Sequence, residues 1–233
     1  MNDRIKDFIQ VSSYAFRNTL IKMRKLYLTF IFIFIRIFLE GRNVFGFIGG
    51  GSFVGIINYL IDVVCICFIA QSLRSVVVYG NTGKKSIGNS VSNFLQPLLS
   101  AMFYLYILKL FVSLLTMQTS PRGELIVIII VKVLSSALIE EVYINNKTGL
   151  DALKSSFKFV VDNPLTYGVY SLIFIVIESV ISLNIGGVRI MGLDNLLASL
   201  IVGVVHTFFC VFRGHLFKYI DEHPYRQRKF MRG

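Results

Sequence analysis

The sequence predicts an all-α membrane protein with six transmembrane helices, arranged as three hairpins with amphipathic helices at the cytoplasmic interface. Three observations carry this prediction: composition, six separate apolar stretches, and the placement of the basic residues. Of the 233 residues, 55% are hydrophobic and only 16% are charged, and the mean hydropathy is +0.68. Soluble chains carry roughly 25% charged residues, so this composition excludes a soluble globular protein and a disordered chain.

The six apolar stretches give the predicted spans. A bilayer core needs about 20 helical residues, with a range of about 17–25, so the first and fourth stretches need flanking residues to cross it. The predicted spans are residues 26–39, 52–73, 98–117, 125–139, 165–183 and 196–212.

The distribution of Lys and Arg gives the orientation. If the N-terminus is inside, every inner segment holds at least three basic residues, whereas each outer loop holds one, namely Arg42, Arg122 or Arg189. Basic residues accumulate in cytoplasmic loops, so both termini are predicted to be cytoplasmic. The net charge of +11 therefore predicts contact with anionic lipid headgroups at the inner face rather than with nucleic acid.

The chain is predicted to be a single membrane domain, residues 1–233, built from a repeated unit. The segments are an interfacial helix at 1–25, a hairpin at 26–73, an interfacial helix plus hairpin at 83–139, a second such unit at 147–212, and a basic cytoplasmic tail at 213–233. Apolar residues at helical spacing beside a basic face predict that the interfacial helices lie on the membrane surface. Packing against the spans or against a soluble partner is the alternative. The stripes are Ile5, Phe8, Ile9, Ser12, Phe16, Leu20 and Met23 in the first segment, and Leu150, Leu153, Phe157, Val160 and Val161 in the third.

A short junction pattern recurs where each amphipathic segment meets its span. An amide residue is followed by Thr or Pro and then Leu, at Asn18-Thr19, Gln96-Pro97 and Asn163-Pro164. Proline is tolerated in the first turn of a helix, where its missing N–H has no partner to lose. The pattern therefore predicts a helix restart at each junction.

The order of these elements resembles that of the bacterial YciC-like membrane proteins and of the membrane domain attached to some glycerophosphodiester phosphodiesterases. The resembling stretches are 5–18, 146–157 and 196–219. The resemblance implies a six-span, non-catalytic membrane protein without a soluble phosphodiesterase domain, and it supplies no catalytic residues.

Charged side chains inside the spans are the candidate binding residues for a solute or lipid. They are Arg36, Asp62, Lys109, Lys132 and Glu178. At 1.5 Å per residue, Asp62 and the two lysines come out about 15 Å from the outer surface, Glu178 roughly 9 Å and Arg36 roughly 6 Å. These depths predict that Asp62 pairs with a lysine and Glu178 with Arg36. The charges either orient the bundle as ion pairs or line a polar cavity for an anionic headgroup or solute.

The sequence offers no catalytic constellation, so we expect neither an enzyme nor a cofactor. Cys65 and Cys67 point in different directions on a helix, and a metal held by His206 and Cys210 at i, i+4 is not favoured. The predicted function is therefore a non-enzymatic component of a membrane complex or envelope, which binds anionic lipid or a cytoplasmic partner. A protein partner or homo-oligomer is left open. The alternative is a small transporter or permease subunit for an anionic or amphipathic solute, which would use the mid-membrane Lys/Asp cluster.

Overall fold

The computed structural model describes residues 3–41, 52–116, 121–187 and 193–231, and within those ranges the chain is all-α without a strand. The predicted outer-loop residues Arg42 and Arg189 lie outside the described residues. The helices are α1 (Asp3–Ile21), α2 (Tyr27–Gly41), α3 (Ser52–Val77), α4 (Ser90–Thr116), α5 (Pro121–Leu134), α6 (Leu138–Tyr143), α7 (Gly149–Asp162), α8 (Val169–Gly187), α9 (Leu193–Glu222) and α10 (Tyr225–Phe230).

Four of the predicted spans lie almost entirely in one helix each, namely α2, α3, α4 and α9. The span at 125–139 runs from α5 through a 3₁₀ turn at Ser135–Ala137 into α6, and the span at 165–183 begins in a π-helical turn before α8. Among the described residues, three segments are long and apolar enough to cross a membrane: Gly55–Val77, Lys84–Thr116 and Ser199–Glu222. Helices α7 and α8 add a fourth if this bent pair forms one span. The 15 residues of α2 measure only about 22 Å, less than the ~30 Å of a bilayer core. The structure thus confirms an all-α protein of membrane type with three to four candidate spans, and the count of six stays a prediction.

The six apolar helices form a ring in chain order. Each contacts the next, α2 also contacts α9, and α3 contacts α9 across the ring. The interior is packed with buried apolar side chains, among them Val63, Ala70 and Leu98. One buried hydrogen bond, between the hydroxyl groups of Thr29 and Ser72 (2.6 Å), joins α2 to α3. The ring therefore has a solid core formed mainly by apolar contacts.

Lysine side chains hold the C-terminal end of α3 at one end of the ring. Three ammonium groups donate to carbonyls at this end: Lys22 to Val76 in the last turn of α3 (3.1 Å), and, just beyond the helix, Lys218 to Val78 (3.5 Å) and Lys25 to Gly80 (2.6 Å). Cations suit the negative end of a helix dipole, so these bonds fasten α1, α3 and α9 together. Partial burial, with the nearby charges of Lys218 and Lys25, lowers the pKa of Lys22.

The predicted restart at Asn163-Pro164 is confirmed. Helix α7 ends at Asp162, a single π-helical turn follows at Pro164–Gly168, and the chain bends by 100° before α8. The amide of Asn163 donates to the Phe159 carbonyl at 3.0 Å and so covers one of the carbonyls that the helix end exposes.

The other two predicted restarts are wrong. Helix α4 runs continuously through Pro97, because Phe94 and Leu98 are both buried on one face and hold the helix across the proline. Helix α1 continues past Thr19, whose hydroxyl bonds the Ala15 carbonyl inside the helix at 2.8 Å, and the break comes instead at Met23–Lys25.

The amphipathic helix α7 packs mainly on the protein. It contacts α4, α5 and α6, and its Leu153 and Val160 are buried, whereas Leu150 and Val161 at its edges are exposed. Most of the apolar stripe of α7 therefore packs on the spans, which is the alternative given in the sequence analysis. Helix α1, in contrast, leaves most of its apolar stripe exposed.

Candidate functional site

Helix α1 packs on the protein through a narrow face of small or polar residues. Asp7, Val11, Ala15 and Thr19 recur at every fourth position and are all buried. This face contacts α9 and α10. The short side chains at positions 11, 15 and 19 bring the helix close to its neighbours. Phe8 and Tyr14 stack on Tyr170 and Tyr219, and the remaining side of the helix is largely exposed.

Most of the predicted apolar stripe lies on the exposed side of α1, whereas Phe8 and Ser12 are half-buried and contact Tyr170. Ile5, Ile9 and Phe16 are 51%, 52% and 49% exposed, and Leu20 and Met23 are similarly exposed. A row of large apolar side chains facing away from the protein marks an interaction surface rather than a core. This exposure is what a helix lying in a membrane interface requires.

A polar and basic stripe runs beside the apolar one. Lys6, Gln10, Ser13 and Arg17 follow at spacings of four, three and four residues, which places them on one side of α1. Lys6 and Arg17 are exposed, and neither joins an ion pair with any other described residue. The helix therefore presents available positive charge directly next to apolar surface.

An aromatic groove of about 400 Å³ opens between α1, α8 and α9. The rings of Phe16 and Phe208 meet edge to face, with centroids 5.8 Å apart. The Tyr170 hydroxyl donates to the Ser12 hydroxyl at 2.8 Å and ties α8 to α1. A second, adjoining hollow of about 470 Å³ shares Ser13 with the groove. The groove residues are Ser12, Ser13, Phe16, Tyr170, Phe208, Phe209 and Phe212, and the hollow is lined by Lys6, Ile9, Gln10 and Ser13.

The ion pairing predicted from depth alone is wrong. Arg36 and Asp62 pair with each other across the first hairpin, with 2.7 Å between Arg36 Nε and Asp62 Oδ1. Helical side chains lean toward the N-terminus of their helix, so Arg36 on α2 and Asp62 on antiparallel α3 lean toward one another. This lean closes most of the height difference of about 9 Å that 1.5 Å per residue predicts for Arg36 and Asp62.

The other three intramembrane charges are exposed on the outside of the helices. Lys109 on α4, Lys132 on α5 and Glu178 on α8 form no ion pair within the described ranges. Lys109 and Lys132 lie close enough to repel each other. A cavity lined by these lysines stays a prediction, and Asp62, its expected counter-charge, binds Arg36 instead.

Sequence reasoning missed two buried ion pairs. Glu140, interpreted as marking the end of the fourth span, is buried and accepts a hydrogen bond from Arg213 Nε at 2.6 Å. Asp7 and Arg228, each about 1% exposed, join α1 to α10. A sequence feature could have indicated the first pair: Glu140 and Arg213 each directly follow a predicted span that ends at the inner surface, so both are expected at the same depth.

Metal-ligating residues do not gather in the described part of the chain, where no three of His, Cys, Asp or Glu come together. His206 packs edge-on against the Phe174 ring, with centroids 5.1 Å apart. The hydrophobic contact accounts for the position of His206.

The chain was compared with known proteins at three levels. No protein-family model, no curated protein and no solved structure matches it. The likeness to YciC-like membrane proteins stays a prediction from the sequence.

Proposed function

We propose that this chain is a non-enzymatic integral protein of a bacterial cytoplasmic membrane, whose basic inner face binds anionic phospholipid. It would act as a component of the envelope or of a membrane complex, as the likeness to YciC-like proteins also implies. The proposal includes six membrane crossings and cytoplasmic termini.

The observation that carries the proposal is the arrangement of α1. Most of its apolar stripe is exposed, and Lys6 and Arg17 beside that stripe have no acidic partner among the described residues. Apolar side chains can enter the acyl region while neighbouring cations meet anionic headgroups, and each basic residue near such a surface contributes about 1 kcal/mol.

The contact between α1 and α10 supports the proposed topology. The Asp7–Arg228 pair places helices from near the two ends of the chain side by side. Helices packed this closely favour both chain ends on one side of a membrane, and therefore an even number of crossings. The lysine bonds at the C-terminal end of α3 favour the same side for that helix end.

Only part of the positive charge of the inner face is available to lipid. Arg213, Arg228 and Lys147 form ion pairs with Glu140, Asp7 and Glu141. The exposed basic residues that remain available to lipid, outside any ion pair within the described ranges, include Lys6, Arg17, Arg24, Lys85 and Arg226.

A second candidate is docking of a cytoplasmic protein or a second copy of the chain on α7. Lys154 and Lys158 are exposed on the side opposite its buried apolar face, and Asp151 lies beside them. A mixed-charge surface of this kind suits a soluble partner better than a lipid surface, because Asp151 would repel anionic headgroups.

The proposal is tested by the lipids that the protein retains. The full chain is extracted in mild detergent from a membrane of known composition, and its co-purified lipids are quantified by mass spectrometry. We expect phosphatidylglycerol or cardiolipin to be enriched over the bulk membrane, and the enrichment to fall as salt is added. Retained lipid with the bulk composition at low salt would overturn the proposal.

A further inference from the structure

We propose that the aromatic groove between α1, α8 and α9 holds one acyl chain of an anionic phospholipid whose headgroup lies against Lys6 and Arg17. The inference rests on the proposed function and assigns it to a defined site. The groove and the adjoining hollow share Ser13, so the groove leads directly to the side of α1 that carries Lys6 and Gln10.

The walls of the groove match the chemistry of an acyl chain. Three of the rings come from one stretch of α9, Phe208, Phe209 and Phe212, and Phe16 of α1 faces them. Tyr170 closes one side, its ring 5.0 Å from that of Phe212, and its hydroxyl is already bonded to Ser12. The Tyr170 hydroxyl therefore already has a hydrogen-bond partner, and the surface that the groove offers to an acyl chain is apolar.

The entrance of the groove matches the chemistry of a phosphate headgroup. Ser13 stands at the shared edge, Lys6 and Gln10 line the hollow, and Arg17 lies one helical turn beyond Ser13. Lys6 supplies donors and no acceptor, the Gln10 amide can donate through its nitrogen, and the nearest acidic residue of α1, Asp7, is buried against Arg228. Charge complementarity thus selects an anionic headgroup over a zwitterionic one.

The position of the groove along α9 is compatible with a lipid of the proposed inner leaflet. Phe212 directly precedes Arg213, whose side chain pairs with Glu140 near the end of the fourth predicted span. A chain in the groove would lie just inside the hydrocarbon boundary, with Lys6 and Arg17 at headgroup level.

The chain has no tryptophan, which makes a single-tryptophan reporter possible. Phe16→Trp places the reporter in the groove, and Phe111→Trp places it on the exposed surface of α4 as a matched control. Each full-length variant is reconstituted into nanodiscs in which either the phosphatidylglycerol or the phosphatidylcholine carries brominated chains. We expect stronger quenching by the brominated phosphatidylglycerol at position 16, and equal quenching by both lipids at position 111.

Charge-neutralised variants then test the headgroup contacts. In the Phe16→Trp background, Lys6→Gln with Arg17→Gln should reduce the preference for phosphatidylglycerol by roughly 25-fold, because each basic residue near an anionic surface contributes about a fivefold factor and the two factors multiply. Lys154→Gln with Lys158→Gln on α7 is the matched control and should leave the preference intact. If Phe16→Trp does not fold, Phe209→Trp reports on the opposite wall of the groove.

The outcomes separate the two proposals. Equal quenching by both lipids at position 16, in a protein that still enriches anionic lipid on extraction, would overturn the groove and leave the proposed function standing. Absence of any anionic enrichment would overturn both. A tryptophan at position 16 that neither lipid quenches would mean that a protein segment or a second copy covers the groove, which also overturns the lipid assignment.

Discussion

Asp7 and Arg228, 221 positions apart, form a two-pronged ion pair buried between the first and last helices, with both nitrogen–oxygen distances at 3.0 Å. Arg228 also donates from Nη1 to the His223 carbonyl, so three of its donors are satisfied. Two peripheral contacts surround the pair: Lys229 with Asp3 at 3.5 Å and the Arg4 guanidinium over the Tyr225 ring at 4.1 Å. The N-terminal helix is thereby fastened to the C-terminal segment.

We expect Asp7→Asn to destabilise the protein by about 3–5 kcal/mol, since it leaves a buried guanidinium charge uncompensated. Thermal unfolding in a fixed detergent measures the loss. The complete ion pair contributes less to stability than is lost when one partner is removed. Asp7→Leu combined with Arg228→Met should therefore restore most of the stability.

The exposed pair Asp3–Lys229 provides the control for this experiment. Its side chains are 56% and 62% exposed, so Asp3→Asn should change stability by less than about 1 kcal/mol. An Asp7→Asn protein as stable as Asp3→Asn would show that the buried pair does not hold the two helices together.

We expect Gly214→Ala to destabilise the protein by about 1–3 kcal/mol, because an added methyl group overfills a packed region. A Cβ at Gly214 would stand 2.9 Å from Val77 Cγ2 and would collide with the Tyr143 hydroxyl. Thermal unfolding of the full chain measures the effect, and a stable Gly214→Ala variant would mean that α3, α6 and α9 are not packed this closely.

Gly55 in α3 is the matched helical glycine. No described atom lies within 4 Å of a Cβ built there, so Gly55→Ala should be neutral or stabilising by up to about 1 kcal/mol through helix propensity. A large loss at Gly55 would point instead to a packed neighbour at this entrance to α3.

Periodicity and charge predicted the helices well because both are local properties of the chain. The apolar stretches are almost entirely helical where the structure describes them, although a 3₁₀ turn divides 125–139, and the break at Asn163-Pro164 is where the junction pattern placed it. Pro97 shows the limit of local reasoning, since the burial of Phe94 and Leu98 keeps α4 continuous through a residue that favours a restart.

Side-chain partners could not be predicted from depth, because depth says nothing about which way a helix faces. Asp62 and Lys109 have equal predicted depths, yet Asp62 meets Arg36, which lies in the neighbouring helix of the same hairpin. The same limit applies to α1: its stripe was visible in the sequence, but the aromatic groove depends on rings that α9 contributes nearly 200 residues later.

We expect Lys109→Met with Lys132→Met to stabilise the protein without altering the small-molecule content of cells that express it. A lysine at the centre of a span costs about 2.5–3.5 kcal/mol on insertion scales, and the two ammonium groups repel each other, so a gain on the order of 1 kcal/mol per substitution is expected. Thermal unfolding and mass-spectrometric profiling of cells measure the two effects.

The exposed Lys85, outside the predicted spans, provides the control for the lysine variants. Lys85→Met should leave stability and cell contents unchanged. If instead the double variant folds and inserts normally while one solute accumulates or disappears, the transporter alternative would replace a purely structural role for Lys109 and Lys132.

Two double-mutant cycles test which cation interacts with Asp62. Residues in contact couple by about 0.5–3 kcal/mol, so Arg36→Met and Asp62→Asn should be non-additive by an amount within that range. Lys109→Met and Asp62→Asn should be additive, because Asp62 binds Arg36 at 2.7 Å. The stability of all variants is compared in one detergent. Coupling of Asp62 to Lys109 rather than to Arg36 would reinstate the depth-based pairing and, with it, a charged cluster between α3 and α4.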